Sequence, residues 1–579
     1  RVHFPGTMRS GTLILIAVLA ASTLALPKMF QGRRRVGKIT NTETIKPDTG
    51  SAVSGAARIE QRVDHFNDAD NRAWYQKYFF NQQYSSNKDV NFLYISGEQT
   101  DSMSTITGDR PIVQYAAQFG ASLYALEHRF YGDSHPLPDS SIDSLKYLSS
   151  RQAIEDIAEF IKQMNNRVTT PQKWIVVGGS YAGNLAAWAR LKHPELIAGA
   201  ISSSAPLLAQ LNFYGYLATV EKDFKALGGN CATQLEQAIT KAVGLFESKN
   251  GLAQLDTLFN IKPPLAKYAD VTDNDMANFF SYLTSPFEDS AQYSNPPPAD
   301  LCKTFTNHPA GYDPLQALAD LVWDQDGIDV GYNSSVQFIK REDFDDEGEY
   351  TTRLWVWQTC TEFGYFQTTD TGSNIFQSTQ PSNIFLNYCK DIFGIDVDAV
   401  KANIDATNKY YGERDYFAGT NVLFSYGTQD PWSWLCKQSG SQHWSVVIVE
   451  LPGGSHCSDL HSACDDNGQN CNPNLLKQQQ LAIQKIDSWL NGPYSVPDSV
   501  TLSDQVGKRP QWYDDFVPPP LSIKANSPNA VARSKRAVET PKRQSGRLNA
   551  FLRKRKNFLL PPPPPMEKSF GGRPDDWPI

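Results

Sequence analysis

Short apolar, β-branched runs alternate along this chain with stretches whose apolar residues return every three to four positions. The runs at 90–95, 121–126, 173–177, 198–202, 421–426 and 445–451 are bounded by Gly, Pro or polar residues and predict strands. The stretch 150–165 places Ile154, Ile157, Ala158, Phe160, Ile161 and Met164 on one helical face. This alternation predicts an α/β architecture, a largely parallel sheet with helices on both faces. Between 207 and 419 the strand signal fades, and helical patterns with Pro-rich breaks take over. That stretch predicts an inserted, mostly helical lid domain. No repeat of 20–50 residues is visible, which argues against a solenoid.

The two ends of the chain change the picture. Met8 and Arg9 precede an apolar run from Leu13 to Ala21, and small residues continue to Ala25. This is the pattern of a signal peptide, with the mature chain beginning near Leu26. The run is shorter than the roughly 20 residues of a membrane-spanning helix, so no stable membrane insertion is expected. The organisation that follows is a signal peptide at 1–25, an extension or pro-segment at 26–58, two parts of the α/β domain at 59–206 and 420–495 around the insert 207–419, and a tail at 496–579. From Leu521 onward, 13 Lys or Arg stand against 4 Asp or Glu, and the run Pro561–Pro565 lies among them. The tail therefore reads as a solvated basic extension. Arg533-Ser-Lys-Arg536 within it resembles a furin-type processing site. The rest of the chain is acidic, and a basic tail on an acidic body gives no case for nucleic acid as a partner.

All eight cysteines lie between Cys231 and Cys471. An even count behind a secretory signal predicts disulfides and a secreted or lysosomal destination. Metal binding is the weaker reading, because Cys457, Cys464 and Cys471 lack the short spacings of zinc sites. Asn333-Ser-Ser335 is a sequon for glycosylation at Asn333.

The chemistry becomes legible at Trp174-Ile-Val-Val-Gly-Gly-Ser180-Tyr-Ala-Gly183. A β-run, two glycines, a serine, small residues and then a helical stretch describe a nucleophile elbow, the strand-turn-helix that exposes the serine of an α/β-hydrolase fold. Ala182 occupies the last Gly position of G-x-S-x-G, and it is still small. Later segments supply partners in the chain order of that fold. Asp430 follows the run 421–426, and His456 follows 445–451 on a glycine-rich loop. Ser180 is then the nucleophile, His456 the general base and Asp430 the residue that orients the histidine. The backbone N–H groups of Tyr181 and of the Gly97 loop are the expected oxyanion donors. An esterase or lipase would use the same triad, and a non-catalytic binding protein could be built on the same scaffold.

Six segments in order carry a resemblance: Arg62-Val-Asp-His-Phe66, Glu127-His-Arg-Phe-Tyr-Gly132, Gly178–Gly183, Ser203-Ser-Ala-Pro206, Trp357–Gly364 and Gly427–Trp432. They resemble the serine carboxypeptidase family that includes lysosomal Pro-X carboxypeptidase, dipeptidyl peptidase II and thymus-specific serine protease, and the wording around Cys360–Gly364 is nearest the last of these. The resemblance runs from about Ile59 to Trp489. It implies a hydrolase domain under a helical lid and exopeptidase action on short peptides, often beside proline and commonly at acidic pH. It implies peptides as partners, a possible homodimer, and no metal or cofactor. The same resemblance suggests Glu98, Trp357, Glu362 and Trp432 as substrate-pocket residues. Gln99 stands where the family loop usually has Gly.

Overall fold

The computed structural model describes residues 53–492, apart from 88, 171, 372–373, 440–442, 444 and 465–470. The signal-peptide and tail readings, including Arg533–Arg536, lie outside the described residues. Eight strands form one sheet: β1 (Ser54–Arg62), β2 (Ala73–Asn81), β3 (Val90–Ile95), β4 (Ser122–Leu126), β5 (Lys173–Gly179), β6 (Ile197–Ser203), β9 (Val422–Gly427) and β10 (Val447–Leu451). A separate pair is made by β7 (Gln210–Asn212) and β8 (Gly364–Phe366). The order β1-β2-β4-β3-β5-β6-β9-β10 is antiparallel through β1, β2 and β4 and parallel from there to β10. This mixed sheet, with helices packed on it, is the α/β-hydrolase fold.

Strand β5 is central because its residues are apolar on both faces. Trp174 and Val176 enter the core on one side, and Ile175 and Val177 enter the core on the other. The helix Ser150–Asn165 covers the first side. Its cap residue Ser149 accepts a hydrogen bond from the Gln152 amide, and Ile154, Ile157, Phe160, Ile161 and Met164 are buried. Each such apolar side chain contributes about 1.5–3 kcal/mol on burial.

Between β6 and β9 the described residues form ten α-helices and the β7–β8 pair. The insert shares its core with the sheet. Phe213, Tyr216, Leu217 and Val220 cluster with Trp432, and Phe130, Tyr131 and Leu145 pack with helices of the insert. Disulfides Cys231–Cys302 and Cys360–Cys389 cross-link the insert, and Cys464–Cys471 closes a short loop after β10. The expected disulfides are thus present, while Cys436 and Cys457 are free. Each thiol is instead directed at a backbone carbonyl, Cys436 at Trp432 (3.5 Å) and Cys457 at Ser203 (3.8 Å).

Candidate active site

The turn between β5 and the helix Tyr181–Lys192 holds Ser180 at φ 58°, ψ −134°, a conformation that non-glycine residues rarely adopt. Close packing accounts for the small neighbours. A Cβ on Gly178 would lie 2.1 Å from the Ala182 carbonyl oxygen, and one on Gly183 would lie 2.8 Å from that of Ser203. Tyr181 is the first residue of the helix, so its N–H has no acceptor within the helix and is free for a developing oxyanion. The Gly97 loop, which follows β3, lies over this start: a Cβ on Gly97 would be 3.9 Å from that of Ala182.

Asp430 and His456 sit on loops that touch backbone to backbone. The Thr428 amide donates to the Leu451 carbonyl and the Gln429 amide to that of Gly454, both at 3.0 Å. A Cβ on Gly427 would come within 2.0 Å of the Gly454 oxygen, which is why β9 ends in glycine. One Asp430 oxygen accepts from the Trp432 amide at 2.9 Å. His456 Nδ1 donates to the two Asp430 oxygens at 2.9 and 3.0 Å. With the proton on Nδ1, Nε2 carries the ring's free lone pair. It is buried and has no partner among the described residues. Burial opposes a charge on this ring, but the Asp430 carboxylate, with the Cys457 side chain, outweighs burial and holds the imidazole well above its usual pKa.

Two further supports were not apparent in the sequence. The helix Asp273–Tyr293 of the insert ends beside the histidine, and the Gln292 carbonyl, one of its orphan C-terminal acceptors, takes the His456 amide proton at 2.8 Å. The Gln292 side-chain oxygen accepts from Tyr216 (2.5 Å) and from Trp432 Nε1 (3.1 Å). One residue of the insert thus ties the loops of Asp430 and His456. Below them, Asp459 accepts hydrogen bonds from Ser203 on β6, Ser425 on β9 (2.6 Å) and Gln478 (3.1 Å), and so anchors the histidine loop.

The remaining residues singled out by sequence fall in different surroundings. Trp432 is buried with its ring 6.2 Å from that of His456. Glu98 is buried on the Gly97 loop, and its Oε1 has no partner among the described residues. Glu362 accepts from the Ser150 amide and hydroxyl, capping the helix Ser150–Asn165, and Trp357 packs edge-on against Phe393. Asn333 is exposed on the helix Tyr332–Ile339. Among the described residues no cluster of metal-ligating side chains occurs.

The motif Glu127–Gly132 and His65 build a buried polar scaffold beneath the site. Arg129 makes two 2.6 Å bonds to Asp156, which also accepts from His65 at 2.7 Å. His128 Nε2 lies 3.1 Å from the Tyr181 hydroxyl, and burial holds this ring down at about 4, so it is neutral.

The chain is similar to known peptidases over most of its length. A profile of the serine carboxypeptidase S28 family matches residues 61–476. The Caenorhabditis elegans protein K12H4.7, named as a serine protease, is 34% identical over 464 residues, covering 75% of this chain and 88% of the relative. Mouse thymus-specific serine protease is 30% identical over 83% of this chain and 97% of its own. Human lysosomal Pro-X carboxypeptidase is 25% identical over 84% and 98%. On this evidence the chain belongs to the serine carboxypeptidase S28 family and is a serine-type peptidase.

Proposed function

We propose that this peptidase is an exopeptidase that cleaves short peptides beside proline, with Ser180, His456 and Asp430 as its triad, in a secretory or lysosomal compartment. The observation that carries the reading is the His456 ring, fixed at Nδ1 by Asp430 with Nε2 unpartnered among the described residues, on a loop whose next residue, Cys457, packs against Gly179 beside the elbow serine: a Cβ on Gly179 would lie 2.8 Å from the Cys457 sulfur. In attack, Nε2 takes the Ser180 proton as Oγ bonds to the peptide carbonyl carbon, and it returns a proton to the leaving amine. Water then repeats the sequence on the acyl-enzyme. The Tyr181 amide and the Gly97 loop offer donors to the oxyanion.

Two features support small, proline-containing substrates. Gln292 and the Tyr293 ring, 6.4 Å from His456, bring the insert against the histidine, which favours chain ends over long chains. Trp432, Tyr365 and Trp355 run inward from the histidine with centroids 5.5 and 6.4 Å apart, and a pyrrolidine ring bound beside Trp432 would meet an apolar aromatic surface. The test is mass spectrometry of a proline-containing peptide, free at both ends, incubated with the enzyme and with Ser180→Ala. Loss of one C-terminal residue marks a carboxypeptidase, and loss of an N-terminal dipeptide a dipeptidyl peptidase. Absence of Ser180-dependent trimming would sink the proposal.

A further inference from the structure

Four buried glutamates have carboxyls pushed up to about 7 by burial: Glu98, Glu127, Glu288 and Glu362. Three have evident structural work. Glu127 accepts from Ser134 and the Asp133 amide, Glu288 from Thr284, and Glu362 from Ser150. Glu98 differs. It is 7% exposed, and its Oε1 is buried without a partner among the described residues. Among the described residues it forms no ion pair; the protonated His456 ring would draw its carboxyl down, and the phenols of Tyr131, Tyr181 and Tyr365 lie within its electrostatic reach. Tyr94 on β3 senses Arg110, Asp101 and Cys457 as well as Glu98.

Its place in the chain gives this carboxyl a use. Glu98 directly follows Gly97, on the loop that lies over Ala182 and the Tyr181 amide. We propose that Glu98 is a further catalytic residue: as a neutral carboxylic acid it donates a hydrogen bond to the substrate's carbonyl oxygen beside the oxyanion hole, and its ionisation turns the site off. This rests on the serine-peptidase reading above. The physical case has two parts. With His456 neutral, burial of a carboxylate whose Oε1 has no partner among the described residues is costly, so the neutral acid is favoured and has a proton to give. An acid kept neutral in this way serves as an oxyanion donor, whereas its anion would repel the negative charge that forms at the carbonyl oxygen. No proton leaves Glu98 during turnover; the group acts by polarising the bond that Ser180 attacks.

The active form then needs Glu98 protonated and His456 neutral, so kcat/KM should follow a bell-shaped pH profile whose two limbs belong to the pair. Glu98→Gln keeps the shape and a donor and cannot ionise. The expected result is a profile that rises to a plateau without a descending limb, with peak activity within about tenfold of wild type. Glu98→Ala removes the donor and should lower kcat by about 10²–10³-fold with little change in KM. Labelling of Ser180 by a fluorophosphonate in Glu98→Gln reports that the site is folded. A descending limb unchanged in Glu98→Gln, or a kcat within threefold of wild type in Glu98→Ala, would overturn this inference alone. Failure of the wild-type protein to label at Ser180 would overturn the serine-peptidase reading and this inference with it.

Discussion

Replacing Gln292 by leucine tests the contribution of the insert to the Asp430–His456 pair. The substitution leaves the backbone carbonyl that holds His456 but deletes the side-chain oxygen that accepts from Tyr216 at 2.5 Å and from Trp432 Nε1 at 3.1 Å, along with the amide that donates to the Tyr293 hydroxyl. Both donors are buried, and each one stranded costs about 1–3 kcal/mol. Partial relaxation of the two rings leaves roughly 2–4 kcal/mol of lost stability. Part of that loss should reach the chemistry, because the Trp432 amide is the donor that holds Asp430. If about 1.4–2.8 kcal/mol appears in the barrier, kcat falls about 10–100-fold. The assay is steady-state hydrolysis of a chromogenic peptide at acidic pH, alongside a thermal melt. Gln292→Glu, which keeps an acceptor oxygen, should restore most of kcat. A leucine variant that melts earlier but keeps kcat within twofold would refute the coupling and leave Gln292 a purely structural residue.

Three further outcomes follow from the geometry. Carboxyls raised to about 7 at Glu98, Glu127, Glu288 and Glu362 bind protons more tightly folded than unfolded. Their contribution to stability is complete below about 4.5 and is lost as pH rises through about 7, so Tm should be higher at pH 5 than at pH 8; a Tm that climbs over that interval would contradict the assignment. Gly427→Ala drives a Cβ to within 2.0 Å of the Gly454 oxygen and should separate the Asp430 and His456 loops, lowering kcat/KM by at least about 100-fold; near-normal turnover would show that the loops can part without harm. Unfolding without reductant should expose two titratable thiols per chain, with Cys457 alkylated before buried Cys436 in the native state; a count of zero would mean that these two are paired.

The sequence revealed the parts of this protein whose physics is local. Strand β5 was readable because Trp174–Val177 are apolar on both faces, and the helix Ser150–Asn165 because one face is continuous and its cap is a serine. The glycines around Ser180 and before Asp430 were visible as motifs, and the structure adds the close approaches that demand them. Strands β1 and β2 were missed: β1 is an edge strand, Ser-Gly-Ala-Ala-Arg-Ile-Glu-Gln-Arg, with only three buried positions, and its identity comes from pairing with β2. Gln292 was equally invisible, since its role depends on a helix of the insert ending beside a loop more than 160 residues later. The sequence flagged Glu362 and Trp357 by motif, but a motif does not say whether a buried glutamate faces a substrate or caps a helix, as Glu362 caps the one that begins at Ser150.

The most direct test of the central claim is to map the adduct of a fluorophosphonate probe by tandem mass spectrometry in wild type, Ser180→Ala and His456→Ala. The account predicts one adduct, on Ser180, absent from the alanine variant and formed at least about 100-fold more slowly without the His456 base. An adduct on another residue, or labelling at an undiminished rate in His456→Ala, would contradict it.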